Sequence, residues 1–309
     1  MTARWPDRPR VLVSYPYAKT LNADAWSALS RFDLILDSGA YTAARSGTPI
    51  DRDAFTAFAA EHRDRFRFTF TLDVIGDPTA SFRNFQWQAQ QAPHVPWVPT
   101  WHVTSPIREL ERLCDMAPAR VSFGGAVGWS RPRLGRVIVP AHRVTQAHGI
   151  PVHGLGMTGE VAALFPWASV DSAAWTIPQR RPHCYLCRRD GTMKSITYGQ
   201  PTPPKTLDLV AKYGGESRRI SDYGFSSAKH VGKATANRRI RWAVTAACRS
   251  YMWMETCKRE RDTSDFRIYL AATGPDPRIM AAWELGPPWA TTTDRPGTLP
   301  GARHTTTEV

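Results

Sequence analysis

Short apolar runs, rich in β-branched and aromatic residues, recur along the first 170 residues of the chain and again near residue 270. Several intervening segments instead place apolar side chains at the three- and four-residue spacing of an amphipathic helix. Eight strand signals that alternate with helix signals predict an α/β fold, a (β/α)8 TIM-like barrel. The predicted strands are Val11–Tyr15, Leu34–Leu36, Phe66–Val74, Trp97–Val103, Val121–Phe123, Pro151–Leu155, Ala168–Val170 and Phe266–Ala271.

Two helix starts are marked by their first residues. Asp51 precedes a segment with an acidic first turn, in which Phe55 and Phe58 share one face. Pro106 precedes a second segment, in which Ile107 and Leu110 recur at helical spacing. Both segments lie between predicted strands, as the barrel requires.

The connection between the seventh and eighth strands, residues 176–265, is too long for an ordinary loop and predicts an insertion. A long helix is expected within it over Ala236–Arg261, with an apolar stripe interpreted as core packing. We expect one catalytic domain over residues 1–285, insertion included. Residues 286–309 are rich in Pro, Thr and Gly and are predicted to be disordered.

Positive charge is concentrated in this insertion. The chain has a net charge of +13, and residues 176–265 hold 18 Lys and Arg against 8 Asp and Glu. This surplus favours a polyanionic partner such as a nucleic acid, although a basic surface can also serve solubility alone. Aromatic residues nearby (Tyr198, Tyr223, Phe225, Trp242) suggest stacking platforms for bases. The basic residues singled out are Arg180, Arg181, Arg188, Arg189, Lys194, Arg218, Arg219, Lys229, Lys233, Arg238, Arg239 and Arg241.

Three apolar runs are followed by an aspartate: Asp37, Asp73 and Asp171. The carboxyl ends of barrel strands are where catalytic groups gather, and burying a carboxylate without a use for it is costly. One such aspartate is most simply a helix or turn cap. The combination instead predicts one shared pocket, in which two carboxylates could divide acid/base and nucleophilic roles at a glycosidic bond.

Four segments, in chain order, resemble motifs of the tRNA-guanine transglycosylase family. They are Asp37-Ser38-Gly39-Ala40-Tyr41, Phe123-Gly124-Gly125-Ala126-Val127-Gly128, His153-Gly154-Leu155-Gly156-Met157-Thr158 and Ser169-Val170-Asp171-Ser172. The Asp-Ser-Gly-Ala and Val-Asp-Ser variants are closer to the branch that inserts 7-deazaguanines into DNA, found in phages and in bacterial DNA-modification clusters. The resemblance covers about residues 34–175.

The resemblance implies a role for each matching residue. Asp171 is expected to be the nucleophile and Asp37 the general acid/base. The expected base-binding residues are Asp73, Ser38, Tyr41, Gly124, Gly125 and, with Leu155 as the alternative, Met157. Where the family has a Gln-Gly pair, this chain has Thr100-Trp101-His102, so contacts to the incoming base are expected to differ. His102 as a base ligand is the weaker reading, and a packed or solvent-facing histidine the stronger.

The implied activity is exchange of guanine in DNA for a 7-deazaguanine (preQ0-like) base through a covalent glycosyl-aspartate intermediate. Its partners would be DNA, the free 7-deazaguanine base and proteins that help to open the duplex. One alternative is the same exchange on tRNA. Another is a non-catalytic DNA-binding barrel, against which the complete acid set argues.

A structural zinc ion is the one cofactor expected. The family carries a zinc site after its nucleophile, and Cys184 and Cys187 form a Cys-x2-Cys pair there. Tetrahedral zinc takes four ligands, so two must come from elsewhere. The candidates are His183, His230, Cys248 and Cys257. The simpler alternative is a pair of thiols without metal.

The remaining sequence features bear on the compartment. Five cysteines, an odd number at irregular spacing, favour a reducing environment. There is no apolar segment of the kind found in signal peptides or membrane spans. We therefore expect a cytoplasmic protein, in the host cytoplasm if it is encoded by a phage, with no membrane association.

Overall fold

The computed structural model describes residues 5–126, 128–157, 159–181, 183–197, 204–215, 233–262 and 264–289. A parallel sheet forms the centre, and its strands follow one another around the barrel in chain order. All eight predicted strands are present and helices surround them, which confirms the (β/α)8 TIM-like barrel. The barrel strands are β1 (Arg10–Ser14), β2 (Asp33–Asp37), β3 (Thr69–Phe70), β4 (Trp97–Val98) with β5 (Thr100–His102), β6 (Val121–Gly124), β7 (Val152–Gly154), β8 (Ser169–Ser172) and, after the insertion, Arg267–Ala272.

The fourth strand of the barrel is divided by Pro99. Its first half, β4, pairs with β3, and its second half, β5, pairs with β6. Proline has no N–H to donate to the ladder, but the Pro99 carbonyl still accepts from the Ser122 backbone N–H at 2.8 Å. The segment from Trp97 to His102 therefore joins the two edges of the sheet and closes the barrel.

Helices cover the outside of the barrel. The helix after Asp51 is capped by that side chain, which accepts from the Asp53 and Ala54 N–H groups, and a helix also follows Pro106, as expected. The helices are α1 (Tyr15–Ala18), α2 (Ala23–Leu29), α3 (Ala40–Ser46), α4 (Arg52–Glu61), α5 (Pro78–Gln91), α6 (Ile107–Asp115), α7 (Arg131–Ala147), α8 (Glu160–Leu164), α9 (Pro204–Lys212), α10 (Lys233–Asp262) and α11 (Pro277–Glu284), with 3₁₀ turns at Arg63–Arg65 and Ala174–Gln179.

Side chains alternate between the barrel interior and the layer under the helices, as the period of two requires. The interior holds a buried cluster that includes Leu12, Ile35, Phe70 and Tyr269. Valines and leucines at the intervening positions, such as Val11 and Leu36, join the larger outer core. The same alternation directs a strand-end residue such as Asp37 toward the barrel axis.

The amino-terminal end of the barrel is filled by buried ion pairs. Arg10 on β1 lies 2.6 Å from Glu255 of α10 and 3.4 Å from Asp33 of β2. The second oxygen of Glu255 accepts from the Ile268 N–H at 2.8 Å, and burial raises the pKa of this carboxyl to about 7. The second half of α10 is therefore part of the barrel wall.

The insertion contributes a hairpin and two helices in its described parts. Strands β9 (His183–Cys187) and β10 (Met193–Thr197) pair antiparallel. The predicted long helix is present as α10, and its stripe residues Val244 and Tyr251 are buried, as expected for core packing.

The chain stays folded slightly beyond the predicted start of the disordered tail. The Gly286 carbonyl accepts from Arg249 Nε at 3.0 Å, and the described chain continues to residue 289. The rest of the predicted tail lies outside the described residues. In the described part of the chain, no helix combines the length and apolar character needed to cross a bilayer.

Candidate functional site

The three strand-end aspartates meet at the carboxyl-terminal rim of the barrel. Asp37 ends β2, Asp171 lies on β8, and Asp73 follows β3 by three residues. Burial and, to a smaller extent, the negative charges of Asp73 and Asp171 together raise the pKa of Asp37 to about 7, against the opposing effect of hydrogen bonds from Ser14 and Gly39. The structure thus brings the predicted acids into one electrostatically coupled group.

Asp37 is held by two donors on one oxygen. Its Oδ2 accepts from Ser14 Oγ at 2.8 Å and from the Gly39 backbone N–H at 2.9 Å. Gly39 has φ +83°, and a Cβ there would lie 2.5 Å from Pro16 Cδ, so the Asp-Ser-Gly turn requires glycine. A carboxyl group that titrates near neutral pH can both give and accept a proton, which suits an acid/base role.

Asp171 receives its hydrogen bonds on the other side of the rim. Its Oδ1 accepts from the Gly156 N–H at 2.8 Å and lies 3.3 Å from His153 Nε2. Within the described residues, no hydrogen bond reaches Asp171 Oδ2. The carboxylate is thus fixed through one oxygen, and the other is left for a ligand. Sequence reasoning quoted His153 only as part of a motif and assigned it no role.

Asp73 joins two further polar side chains. Ser38 is fully buried, and its Oγ lies 3.4 Å from Asp73 Oδ1. His102 is 7% exposed, with its Nε2 3.4 Å from Asp73 Oδ2. Among the described residues this nitrogen has no well-aligned hydrogen-bond partner. His102 is therefore a buried histidine that faces Asp73 of the acid group, and its role as a base ligand stays a prediction.

The glycine pair borders the same space. Gly124 ends β6, and a Cβ there would lie 3.0 Å from Thr100 Cγ2 and 3.3 Å from Leu155 Cδ1. Gly125 follows with its Cβ position 3.6 Å from His102 Nδ1. Because neither glycine has a side chain, a ligand beside His102 could approach the backbone of this pair.

Leu155 and Met157, the two candidates for apolar contact with a bound base, lie in different layers of the structure. Leu155 is partly buried and packs with the interior cluster, beside Gly124. Met157 is 4% exposed and belongs to the outer core, where its Cγ lies on the same side of Gly154 as Trp167. Of these two candidates, Leu155 therefore lies on the side of the barrel axis, and Met157 lies in the outer core. Tyr41, on α3, is 63% exposed and free to approach a ligand.

The cysteine pair does not form a metal centre with its described neighbours. Cys184 and Cys187 are three residues apart on β9, so their side chains point to opposite faces of the strand. Cys187 is buried, and Cys257 is partly buried, with its thiol 3.6 Å from the Arg189 carbonyl. Cys248 is buried on α10.

Other candidate ligands are engaged elsewhere or are not described. Both ring nitrogens of His183 lie within 3.3 Å of hydroxyl groups of the adjacent strand β10, and His230 lies outside the described residues. No group of three or more His, Cys, Asp or Glu side chains that could hold a metal ion occurs in the described part of the chain. The described residues do not fit a zinc site, and zinc stays a prediction that needs ligands from elsewhere.

Most of the basic residues singled out from the sequence are exposed where their side chains are described. Two other basic residues of the insertion, Arg249 and Lys258, are buried and bonded within the protein. Trp242, the one described stacking candidate, donates to the Tyr213 carbonyl. The remaining stacking candidates, Tyr198, Tyr223 and Phe225, lie outside the described residues, as do Arg218, Arg219 and Lys229; the side chains of Lys233 and Arg239 are also not described. The exposed members are Arg180, Arg181, Arg188, Arg189, Arg238 and Arg241, whereas Lys194 is half-buried.

Comparison with known proteins yields only distant structural neighbours. No protein-family model and no curated protein matches the chain. The carboxyl transferase domain of Rhizobium etli pyruvate carboxylase, solved with pyruvate, is 12% identical with a TM-score of 0.37, over 79% of this chain and 42% of that one. A second structure of that domain is 11% identical with a TM-score of 0.34, over 77% and 42%. The chain thus spans less than half the length of these neighbours.

Proposed function

We propose that the protein is a DNA-guanine transglycosylase, an enzyme that exchanges guanine in DNA for a 7-deazaguanine base. The observation that carries the proposal is the coupled acid group: Asp37, Asp73 and Asp171 at one end of the barrel. These carboxyls differ in their surroundings, and pairs of carboxyls in unlike environments are the usual basis for dividing acid/base and nucleophilic work. The order of the motifs along the chain, which resembles the transglycosylase family, supplies the substrate class.

The first half of the reaction uses Asp171 as the nucleophile and Asp37 as the acid. Oδ2 of Asp171 attacks the anomeric carbon of the deoxyribose, and the electron pair of the C1′–N9 bond leaves with guanine. Asp37 gives its proton to the departing base, which leaves neutral while Asp37 becomes a carboxylate. A sugar ester on Asp171 remains, as in retaining glycosidic chemistry.

The second half reverses these steps with a different base. The carboxylate of Asp37 removes the proton from the nitrogen of the incoming 7-deazaguanine, and that nitrogen attacks the anomeric carbon. The ester bond breaks and its electrons return to Asp171. One glycosidic bond replaces another, so the exchange consumes no high-energy co-substrate, and the proton that Asp37 gave is recovered.

The neighbouring residues suit recognition of a guanine-like base. A carboxylate at Asp73 can accept from the N1 and N2 donors of the base, with Ser38 donating to its Oδ1 and His102 lying beside its Oδ2. Backbone N–H groups at Gly124 and Gly125 would meet a carbonyl oxygen of the base, since neither residue has a side chain to hold it away. Leu155 and Tyr41, the second from an exposed position, would cover the two faces of the ring.

Access to DNA requires that the target nucleotide leave the helix. A strand-end acid in a barrel cannot reach the anomeric carbon of a stacked and paired base, so the base must be flipped out. The exposed arginines after β8, Arg180 and Arg181, follow Asp171 by nine and ten residues and can contact phosphates beside the site. Such contacts serve tRNA equally, which keeps tRNA as the alternative substrate.

The test measures entry of a labelled base into polymer. The purified chain is incubated with labelled guanine or labelled preQ0 and with either duplex DNA or tRNA. We expect label in DNA, and at least about a 10³-fold loss of rate in Asp171→Asn, since a nucleophile is removed. Binding of the same duplex is expected to stay within about twofold of wild type, because one carboxylate at the rim contributes little phosphate affinity.

The control is Asp64→Asn, an exposed carboxylate in the 3₁₀ turn that precedes β3, at the opposite end of the barrel strands from the rim, which should exchange label at the wild-type rate. Label in tRNA but never in DNA would exclude the DNA assignment. Tight DNA binding without incorporation into either polymer would favour a non-catalytic barrel.

A further inference from the structure

A chain of hydrogen bonds crosses the barrel interior and ends at Asp171. It begins at Arg120, beside the start of β6, whose Nη1 donates to Ser169 Oγ at 3.3 Å. Ser169 Oγ lies 2.8 Å from Nδ1 of His153, and His153 Nε2 lies 3.3 Å from Asp171 Oδ1. The β7–β8 register pairs His153 directly with Ser169, so two adjacent strands build the chain.

The two ends of the chain together set the direction of its protons. A carboxylate only accepts, so a bond to Asp171 Oδ1 requires the proton of His153 on Nε2. In a neutral imidazole Nδ1 is then an acceptor, and it takes the hydroxyl proton of Ser169. Arg120, which has only N–H donors, uses a lone pair of the same hydroxyl and leaves that proton free for Nδ1.

The surroundings keep this imidazole neutral. His153 is fully buried, with the rings of Phe68 and Phe70 at centroid distances of 5.8 and 4.9 Å. Burial lowers the pKa of His153, and the charge of Arg120 lowers it further, against the opposing effect of Asp171. A neutral donor on Asp171 Oδ1 orients the carboxylate without forming a salt bridge that would weaken it as a nucleophile.

We infer that His153 is a positioning residue for Asp171, set in one tautomer by Ser169 and Arg120. This role rests on the proposed function, in which Asp171 is the nucleophile. His153 and the Gly156 N–H together hold Oδ1, so that Oδ2 is directed at the anomeric carbon. His153 touches neither the sugar nor the base. Its loss therefore affects the rate of attack and leaves binding of the polymer unchanged.

The tautomer can be measured without any substrate. Two-bond ¹H–¹⁵N correlation spectra of the full chain labelled with ¹⁵N-histidine distinguish an Nε2–H from an Nδ1–H imidazole, and His153→Gln assigns the signal among the nine histidines. We expect His153 as the neutral Nε2–H form near pH 7. An Nδ1–H form or an imidazolium would overturn the inference, whatever the protein's activity.

The kinetic test follows single-turnover formation of the protein–DNA adduct with a guanine-containing oligonucleotide duplex. His153→Leu should slow the adduct by about 10²-fold, the cost of a misplaced reacting group, with the half-saturating DNA concentration unchanged. His153→Gln keeps an N–H donor and should recover to within about tenfold of wild type. Ser169→Ala removes only the donor to Nδ1 and should lie between these two.

The matched control is His142→Leu. His142 is also buried among aromatic rings, Phe123 and Trp167, and burial likewise lowers its pKa, to about 4, but it contacts none of the acids. It should form adduct at the wild-type rate per folded molecule. Wild-type rates in both His153→Leu and Ser169→Ala would overturn the inference while leaving the proposed function intact. Absence of adduct in the wild type would instead refute the proposed function. The tautomer measured by NMR would still show whether the hydrogen-bond chain from Arg120 to Asp171 exists.

Discussion

Removing the hydroxyl group that stabilises the Asp37 carboxylate should move the pKa of this residue upward. Ser14 Oγ donates to Asp37 Oδ2 at 2.8 Å and favours the ionised form. A hydrogen bond to a charged group contributes about 1.5–3 kcal/mol, and one pKa unit corresponds to about 1.4 kcal/mol. Ser14→Ala should therefore raise the pKa of Asp37 from about 7 by roughly one to two units.

The assay is a carbon-detected titration of the chain labelled with ¹³C at the aspartate carboxyls, with Asp37→Asn to assign the signal. Ser14→Thr keeps a hydroxyl group on the same carbon and should titrate like the wild type. Asp73→Asn gives a control of opposite sign. It removes a negative charge that raises the pKa of Asp37, so the midpoint should fall below 7.

The same shift predicts a change in the pH dependence of adduct formation. Asp37 must be protonated to give a proton to guanine, so the wild-type rate should fall as the pH rises through about 7. In Ser14→Ala the falling limb should move to higher pH with the titration. An unchanged or lower pKa in Ser14→Ala, or a wild-type Asp37 that titrates near 4, would refute this account of the site.

Two further predictions concern folding stability, measured by denaturant unfolding. Glu255→Ala leaves the buried guanidinium of Arg10 without its 2.6 Å partner and should lower the free energy of unfolding by about 3–5 kcal/mol. Glu284→Ala breaks an exposed pair with Arg31 and should lower it by less than about 1 kcal/mol. Equal losses of stability in the two variants would contradict the argument that the buried pair matters more. Gly39→Ala combines a positive φ with a clash against a proline ring and should cost about 2–5 kcal/mol. Gly47→Ala has a positive φ but open space and should cost only about 1–2 kcal/mol, so a Gly39→Ala loss no larger than this would show that the contact is unimportant.

The barrel could be predicted because buried parallel strands are short, near-continuous apolar runs, and here these runs alternate with segments of helical periodicity. Runs such as Leu34–Leu36 and Val121–Phe123 match strands β2 and β6 closely. The three aspartates could also be placed together, since all carboxyl ends of barrel strands share one rim. The run Trp97–Val103 was correctly predicted as a strand, but its division at Pro99 was not predicted. That division is visible only from the pairing, since the first half pairs with β3 and the second with β6.

Features that depend on which strands and helices become neighbours could not be predicted. His153 acquires its role only when β7 lies beside β8 and meets Ser169. Leu155 and Met157 differ because the chain leaves strand geometry after Gly154, so simple alternation does not say which side chain faces the axis. The Cys-x2-Cys spacing suggested a zinc site; spacing alone does not show that the pair lies on strand β9, where the pleat separates the two side chains, and zinc stays a prediction.

The mass of the protein after reaction with DNA shows whether Asp171 forms the covalent sugar ester. The chain is incubated with a guanine-containing duplex, denatured, digested with nuclease and protease, and the peptides are mapped. The account predicts release of free guanine and one deoxyribose-linked peptide containing Asp171, which disappears when excess guanine is added before denaturation. An adduct on another residue, or guanine release with no adduct at any time point, would contradict it.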